Sequence, residues 1–439
     1  MRTIALTLLL IGLLPLSNLN AQRVLSLQDA IDIALENNST IKQSDYKAQM
    51  AKADYMQSAA AILPSIDFEM SGIHTTDPLA SFGFKLKQEI VTQVDFNPAL
   101  LNDPASMNHH SIKLQIQLPI FNLDAWNHRK AAKLGFEAME LQHTRTQEMI
   151  SFRVKQLYFQ STLTIEVISV MQRTLKSAQA SLELTKNNYE QGLLKEADVL
   201  LAKVHVEDVK NKLSEARNNA QDSKEALLNV LGIDLNEDIH LSDQISDFNN
   251  ISLTEMNITD RSDVRAFAKG VEAKKKISEA KLFQFIPRIN AFGSTEWNDN
   301  QAFGTNASNY TVGAMLSWKL FNGQKNIGSY KKAKVDFALS KENYDEYITN
   351  SQLELNKAIR DLELRYEQIN TAKLNLEYAR ESKRMLKNRY EQGLEKTIDL
   401  LYAESLASNR ELSLLQSRFA YQIQKYYLEL ITETKITNL

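Results

Sequence analysis

Two long stretches of this chain repeat apolar residues with the period of a coiled-coil helix. In the second half Ile348, Leu355, Leu362, Ile369 and Leu376 recur every seven residues, with Ala358, Ala372 and Ala379 between them and Ser351 and Arg365 as exceptions. In the first half Ile150, Val154, Leu157, Ile168, Met171, Leu175, Ala178 and Leu182 keep the same alternating three-and-four spacing, with Ser161 and Thr164 filling the gap. Such seams predict helices packed knobs-into-holes, and their small residues let the helices approach closely. No glycine interrupts the chain between Gly135 and Gly192, or between Gly328 and Gly393. A helix from about Ala125 to Gln191 would run roughly 100 Å at the rise of an α-helix. Each long helix meets a glycine, Gly192 or Gly393, that suits a left-handed helix end. The pattern then resumes as second helices, Glu196–Leu231 and Thr397–Thr432. Shorter helices are predicted at about Ser26–Ile62, broken near Asn37-Asn38, and at about Ser262–Phe285.

Between the helices the period changes from heptad to dyad. Ile112, Leu114, Ile116, Leu118 and Ile120 alternate with Ser111, Lys113, Gln115 and Gln117. Tyr310, Val312, Ala314, Leu316, Trp318 and Leu320 alternate with polar or small residues, Met315 excepted. Weaker runs, Ile66, Phe68, Met70 and Ile289, Ala291, Gly293, follow Pro64 and Pro287. About ten residues of apolar/polar alternation is the signature of a transmembrane β-strand.

The chain is a tandem duplication. Tyr-Glu-Gln-Gly-Leu occurs at Tyr189–Leu193 and again at Tyr390–Leu394; at the same offset Asp198 pairs with Asp399, Leu200 with Leu401 and Ala202 with Ala403. Ile120-Phe121-Asn122 likewise matches Leu320-Phe321-Asn322. The organisation read from this is a first repeat over 22–231, a polar linking segment over 232–260 and a second repeat over 261–439.

Residues 1–21 read as a cleaved secretory signal: Arg2, an apolar core at Ile4–Leu16 and a small-residue site at Leu19–Ala21. The apolar core, about 13 residues, is too short to span a bilayer. There is no cysteine, so neither a disulfide framework nor a lipid-anchor site is expected. A formal net charge of −3 argues against nucleic acid as a partner. No other stretch could cross a membrane as a helix, so any membrane insertion has to be as a closed β-barrel. Four strands cannot close one, since the smallest bacterial barrels use eight. The chain must borrow strands from copies of itself; three copies give twelve strands with cyclic symmetry. The fold class is therefore mainly α with a β-barrel portion: long antiparallel coiled-coil hairpins plus four transmembrane strands per chain, in a homotrimer with a twelve-stranded β-barrel and an α-barrel.

The duplicated halves, the strand pairs ending in Phe121-Asn122 and Phe321-Asn322, the long hairpins and the glycine-leucine tips together resemble the outer membrane efflux protein family, the TolC-like exit ducts. The resemblance implies an outer-membrane trimer with a helical tunnel across the periplasm. Its partners would be a periplasmic adaptor protein and, through it, an inner-membrane pump of the resistance-nodulation-division or ABC class. It also implies that Gly192, Leu193, Gly393 and Leu394 form adaptor-docking tips, and that Asp399, with Tyr390 three residues before the glycine, lies at the periplasmic aperture. Asp198 is the matching residue of the first tip. Two departures from the family pattern stand out. Glu395 replaces the basic residue expected two positions after the tip glycine, and Tyr402 replaces a second aspartate expected three positions after Asp399. The other reading of Asp198 and Asp399 is as acidic residues in the first turn of their helices, favoured by the macrodipole; it suits Asp198 better, because its hairpin is expected to lie farther from the axis.

The aromatic segment His74–His110 joins the first two strands. It reads either as a loop folded over or into the barrel mouth or as one packed on its counterparts. The seven histidines show no metal spacing beyond the His109-His110 pair, which is expected near a loop end, and no HExxH, P-loop, nucleophile elbow or dinucleotide fingerprint occurs, so no enzyme, cofactor or metal is expected. The function expected is a passive conduit for efflux or type I secretion. The alternative is a periplasmic coiled-coil scaffold without a channel.

Overall fold

A computed structural model describes residues 23–245 and 257–434. The expected signal segment, residues 1–21, lies outside the described residues. In chain order the elements begin with β1 (Arg23–Leu25), α1 (Leu27–Asn37), α2 (Ser39–Gln57) and β2 (Ser65–Thr75). They continue with α3 (Pro78–Lys87), α4 (Pro98–Asn102), β3 (Met107–Phe121), α5 (Leu123–Glu190) and α6 (Glu196–Leu231). The rest are β4 (Ile239–Leu241), α7 (Ser262–Phe283), β5 (Arg288–Asp299), β6 (Ala307–Ser317), α8 (Lys325–Glu391) and α9 (Thr397–Thr432).

The break between α1 and α2 falls at Asn38, whose side chain caps α2 by accepting from the Thr40 and Ile41 amides. The heptad seams are buried as the sequence predicts: Val154, Leu157, Met171 and Ala178 on α5, and Leu355, Ala358, Leu362, Ile369, Leu376 and Ala379 on α8. Each long helix carries a short helix along one part and its hairpin partner along the rest. Thus α5 packs on α2 and α6, and α8 on α7 and α9, while α5 also meets α7 and α9. Among the described residues no helix is long and apolar enough to cross a membrane.

Two apolar cores sit where short and long helices change partners. One gathers Leu25, Ala34, Val154, Tyr158 and Leu227, the other Leu355, Leu362, Ile369, Tyr421 and Leu428. A two-stranded parallel sheet of β1 and β4 lies beside the first. The Tyr158 hydroxyl donates to the Leu25 carbonyl at 2.8 Å and accepts from the Asp243 amide at 3.0 Å. Within the polar linking segment expected over 232–260, of which residues 246–256 lie outside the described residues, the one element not foreseen is β4. β4 is three residues long, below the length at which alternation is detectable, and its partner lies more than 200 residues away. Across the second core, Asp263 receives Arg261 at 2.7 Å and Arg145 at 3.1 Å, and Glu433 caps α7 through the Ser262 amide at 3.0 Å.

The remaining strands form one antiparallel sheet in the order β2-β3-β5-β6. The weak dyad runs become full strands, and β6 stops at Ser317, short of the predicted Leu320. His109 and His110, expected near a loop end, lie inside β3. Register aligns the faces. Ile66 pairs with Ile116, Ile116 with Gly293 and Gly293 with Val312, so one face is apolar. Glu69 pairs with Lys113, Lys113 with Glu296 and Glu296 with Asn309 on the other. All helices of the hairpins leave from one end of this sheet, and both strand-connecting loops lie at the other.

Candidate functional site: the hairpin tips

Both tips close in the same way. After α5, the Gly192 amide donates to the Tyr189 carbonyl at 2.9 Å and the Leu193 amide to Asn188 at 2.9 Å. After α8, Gly393 donates to Tyr390 at 3.0 Å and Leu394 to Arg389 at 2.9 Å. This paired closure needs a left-handed residue, and the two glycines have φ of 75° and 71°. The residue after such a glycine usually packs on the helix three positions from its end. Here that position holds polar Asn188 or Arg389, so Leu193 and Leu394 stay 66% and 60% exposed.

The two aspartates differ. Asp198 accepts from the Lys195 amide at 3.2 Å, so its carboxylate serves the start of its own helix. Asp399 occupies the equivalent first turn of α9 and, among the described residues, its carboxylate has no hydrogen bond or ion pair. Glu395 is held by Arg389 Nε at 3.1 Å, and Arg389 also donates to the Leu394 carbonyl at 3.3 Å. The departure at Glu395 is thus answered within the tip by a basic residue on the other helix. Tyr402 is exposed. Tyr390 is not: it is 1% exposed, and its hydroxyl lies 2.8 Å from Thr185 Oγ1 on α5 and 3.1 Å from Thr397 Oγ1 on α9. It stands behind the tip surface, in the joint between the hairpins.

Sequence reasoning missed a second polar joint about two turns further along. Glu404 on α9 is buried, and its Oε1 accepts from Ser177 at 2.8 Å and Ser181 at 2.9 Å, both on α5. Lys383 on α8 and His205 on α6 each approach the carboxylate to 3.8 Å. Burial lowers the pKa of His205 against the raising charges of Glu404 and Asp208, so the imidazole is neutral at pH 7. The signal was present in the sequence: a glutamate between Leu400 and Ala407 on a seam that is otherwise apolar or small. Among the described residues no group of three or more acidic, histidine or cysteine side chains could hold a metal ion.

Taken together, the tips are two apolar points on polar stems, joined by polar contacts among four helices.

Comparison with known proteins agrees with this architecture. The outer membrane efflux protein family matches residues 30–233 and 255–432, most of the chain and both of its halves. The chain is 21% identical over 410 residues to nodulation protein T of Rhizobium leguminosarum bv. trifolii, covering 90% of this chain and 82% of that one. It is 22% identical over 352 residues to outer membrane protein TolC of Salmonella enteritidis, covering 76% and 71%. Among solved structures, CusC superposes with a TM-score of 0.80 at 18% identity, over 92% of this chain and 91% of that one. The chain belongs to the outer membrane efflux protein family.

Proposed function

We propose that three copies of this protein form the outer-membrane exit duct of a tripartite efflux or type I secretion system. The duct is a passive conduit from periplasm to exterior. The observation that carries this reading is the arrangement of the sheet. Its apolar face is continuous across four strands, and β2 and β6 are unpaired edges running in opposite directions. Unpaired edges are costly in lipid. A neighbouring β2 laid beside β6 continues the antiparallel order, and three chains close the ring with the polar face inward. The long helices α5 and α8, each about 100 Å, then extend from the barrel into the periplasm and carry the tips inward to an adaptor. The sequence contains no nucleotide-binding motif, so energy comes from an inner-membrane pump of the resistance-nodulation-division or ABC class. In this assembly Leu193 and Leu394 are docking points, Asp399, Glu395 and Tyr402 surround the aperture, and Tyr390 and Asp198 hold its helices.

The test has two parts. Native mass measurement in mild detergent is expected to give three copies, and the trimer to form pores in planar bilayers. A Leu193→Asp, Leu394→Asp double variant is expected to keep the trimer and lose efflux. A monomer without pores would return the scaffold reading, and unchanged efflux would remove these tips from the docking surface.

A further inference from the structure

The segment between β2 and β3 does not hang free at the end of the sheet. Asp77 caps α3 by accepting from the Ala80 amide at 2.6 Å, and Glu89, at φ 59°, turns the chain back after the helix. At that turn α3 is fastened to the sheet. Gln88 Nε2 lies 3.0 Å from the Asn108 carbonyl, 3.2 Å from the Asp299 carbonyl and 3.2 Å from His109 Nδ1, so it joins β3 to β5. Lys87 Nζ pairs with Glu296 at 2.8 Å, and the Phe84 ring stacks on His109 with centroids 4.0 Å apart.

Which face receives α3 follows from register. His109 pairs with Ile73, two positions along β3 from Ser111 and four from Lys113, and Glu296 pairs with Lys113. His109 and Glu296 therefore both point to the polar face. That is the lumen side in the proposed duct, on whose closure this inference rests. The segment lies inside the mouth rather than outside the wall.

We propose that residues 77–105 form a collar within the outer mouth of the barrel, three copies narrowing the exit, with Lys87, Gln88 and Glu296 setting its bore. The collar decides which solutes pass at the outer end, separately from the periplasmic aperture. Large side chains on the segment, including Leu79, Val94 and Phe96, are exposed on one protomer and have the two neighbouring copies to pack against in the closed ring. The seat is also imperfectly bonded. Ser81 Oγ and Gln88 Oε1 on the collar, and both amide atoms of Asn298 on the polar face, are buried without a protein hydrogen-bond partner. Such atoms oppose burial. Swinging the collar aside lets water reach them, which offsets part of the cost of breaking the Lys87, Gln88 and Phe84 contacts.

The experiment measures single-channel current with graded polyethylene glycols added on the extracellular side alone. Wild-type trimers and pores are established first, so that failure of the duct reading shows there and not in the variants. Lys87→Glu places like charge against Glu296, and combined with Gln88→Ala it is expected to shift the polymer cut-off to larger sizes and to raise conductance. Lys87→Arg is expected to keep the wild-type cut-off. Should the double variant fail to assemble, Lys87→Gln alone is expected to shift the cut-off in the same direction. A cut-off and conductance equal to wild type in an assembled Lys87→Glu, Gln88→Ala or Lys87→Gln trimer would overturn the collar.

Discussion

The Tyr390 hydroxyl donates to Thr185, across the junction between the two hairpins. The direction follows from the neighbouring bonds. Thr185 Oγ1 gives its own proton to the Ser181 carbonyl at 2.7 Å, so at 2.8 Å it accepts from Tyr390. Tyr390 in turn accepts from Thr397 at 3.1 Å. A single chain of hydroxyls thus ties α9, α8 and α5 where the duct would open. All three side chains are buried, so none can exchange its partner for water while the joint stays closed.

Tyr390→Phe removes the middle of that chain and leaves two buried hydroxyls short of a partner. A cost of about 1–3 kcal/mol per protomer is expected for the joint, small enough to leave the trimer assembled. The readout is conductance in planar bilayers, which is expected to rise and to fluctuate more than wild type. Identical traces would mean that the two hairpins do not separate at Tyr390 when the duct opens.

Acid weakens the protein at a different level. Burial opposes ionisation of Asp263, but hydrogen bonds from Arg261 and Tyr347 and the nearby Arg145 charge outweigh it, so its pKa lies below the ordinary carboxylate value. A carboxyl depressed in the folded state adds stability that is complete above its unfolded pKa and is lost as pH falls through the folded one. Asp263→Ala leaves Arg261 and Arg145 without their shared partner and is expected to cost about 3–5 kcal/mol at pH 7. Thermal midpoints of the solubilised protein check this: the gap between variant and wild type should narrow below about pH 4.

The sheet gives a paired comparison on adjacent residues. Ile116 pairs with Ile66 on the apolar face, and Gln115 pairs with Asp67 on the polar one. Arginine on the lipid face at mid-bilayer costs about 2–4 kcal/mol per chain, so Ile116→Arg is expected to reduce the trimer recovered from the outer membrane. Gln115→Arg should not. Equal yields would exchange the assigned faces.

Much of this fold is legible in the sequence because its periods are long and undisturbed. Val154, Leu355 and Ile369 announce their burial by spacing alone, and Gly192 and Gly393 announce the turns because only a left-handed residue completes that closure. What escaped reading depends on contacts far apart in the chain. β4 is too short to alternate, and Gln88 is an ordinary loop residue until β3 and β5 present their carbonyls to it. The site divides in the same way. The exposed tip leucines follow from the repeated pentapeptide. The placement of Tyr390 behind the surface, and the pairing of Glu395 with Arg389, required the packed helices.

Asp198 and Asp399 are expected to differ in what they do for permeation. Asp198 bonds the Lys195 amide, so Asp198→Asn is expected to cost a few tenths to about 1 kcal/mol of helix stability and to leave permeation unchanged. Asp399 is six residues past Gly393 and, among the described residues, its carboxylate is free. In the proposed trimer three such carboxylates meet near the tunnel axis. Narrow low-dielectric walls focus their field, and rings of this kind select cations in channels. Glu395 does not substitute for them, since Arg389 neutralises it at 3.1 Å. Asp399→Asn is therefore expected to reduce cation preference and to weaken block by multivalent cations, with little change in stability. The measurement is the single-channel reversal potential in a salt gradient. It should move toward zero for Asp399→Asn and stay at the wild-type value for Asp198→Asn; coincidence of all three would reduce Asp399 to a helix-terminal charge.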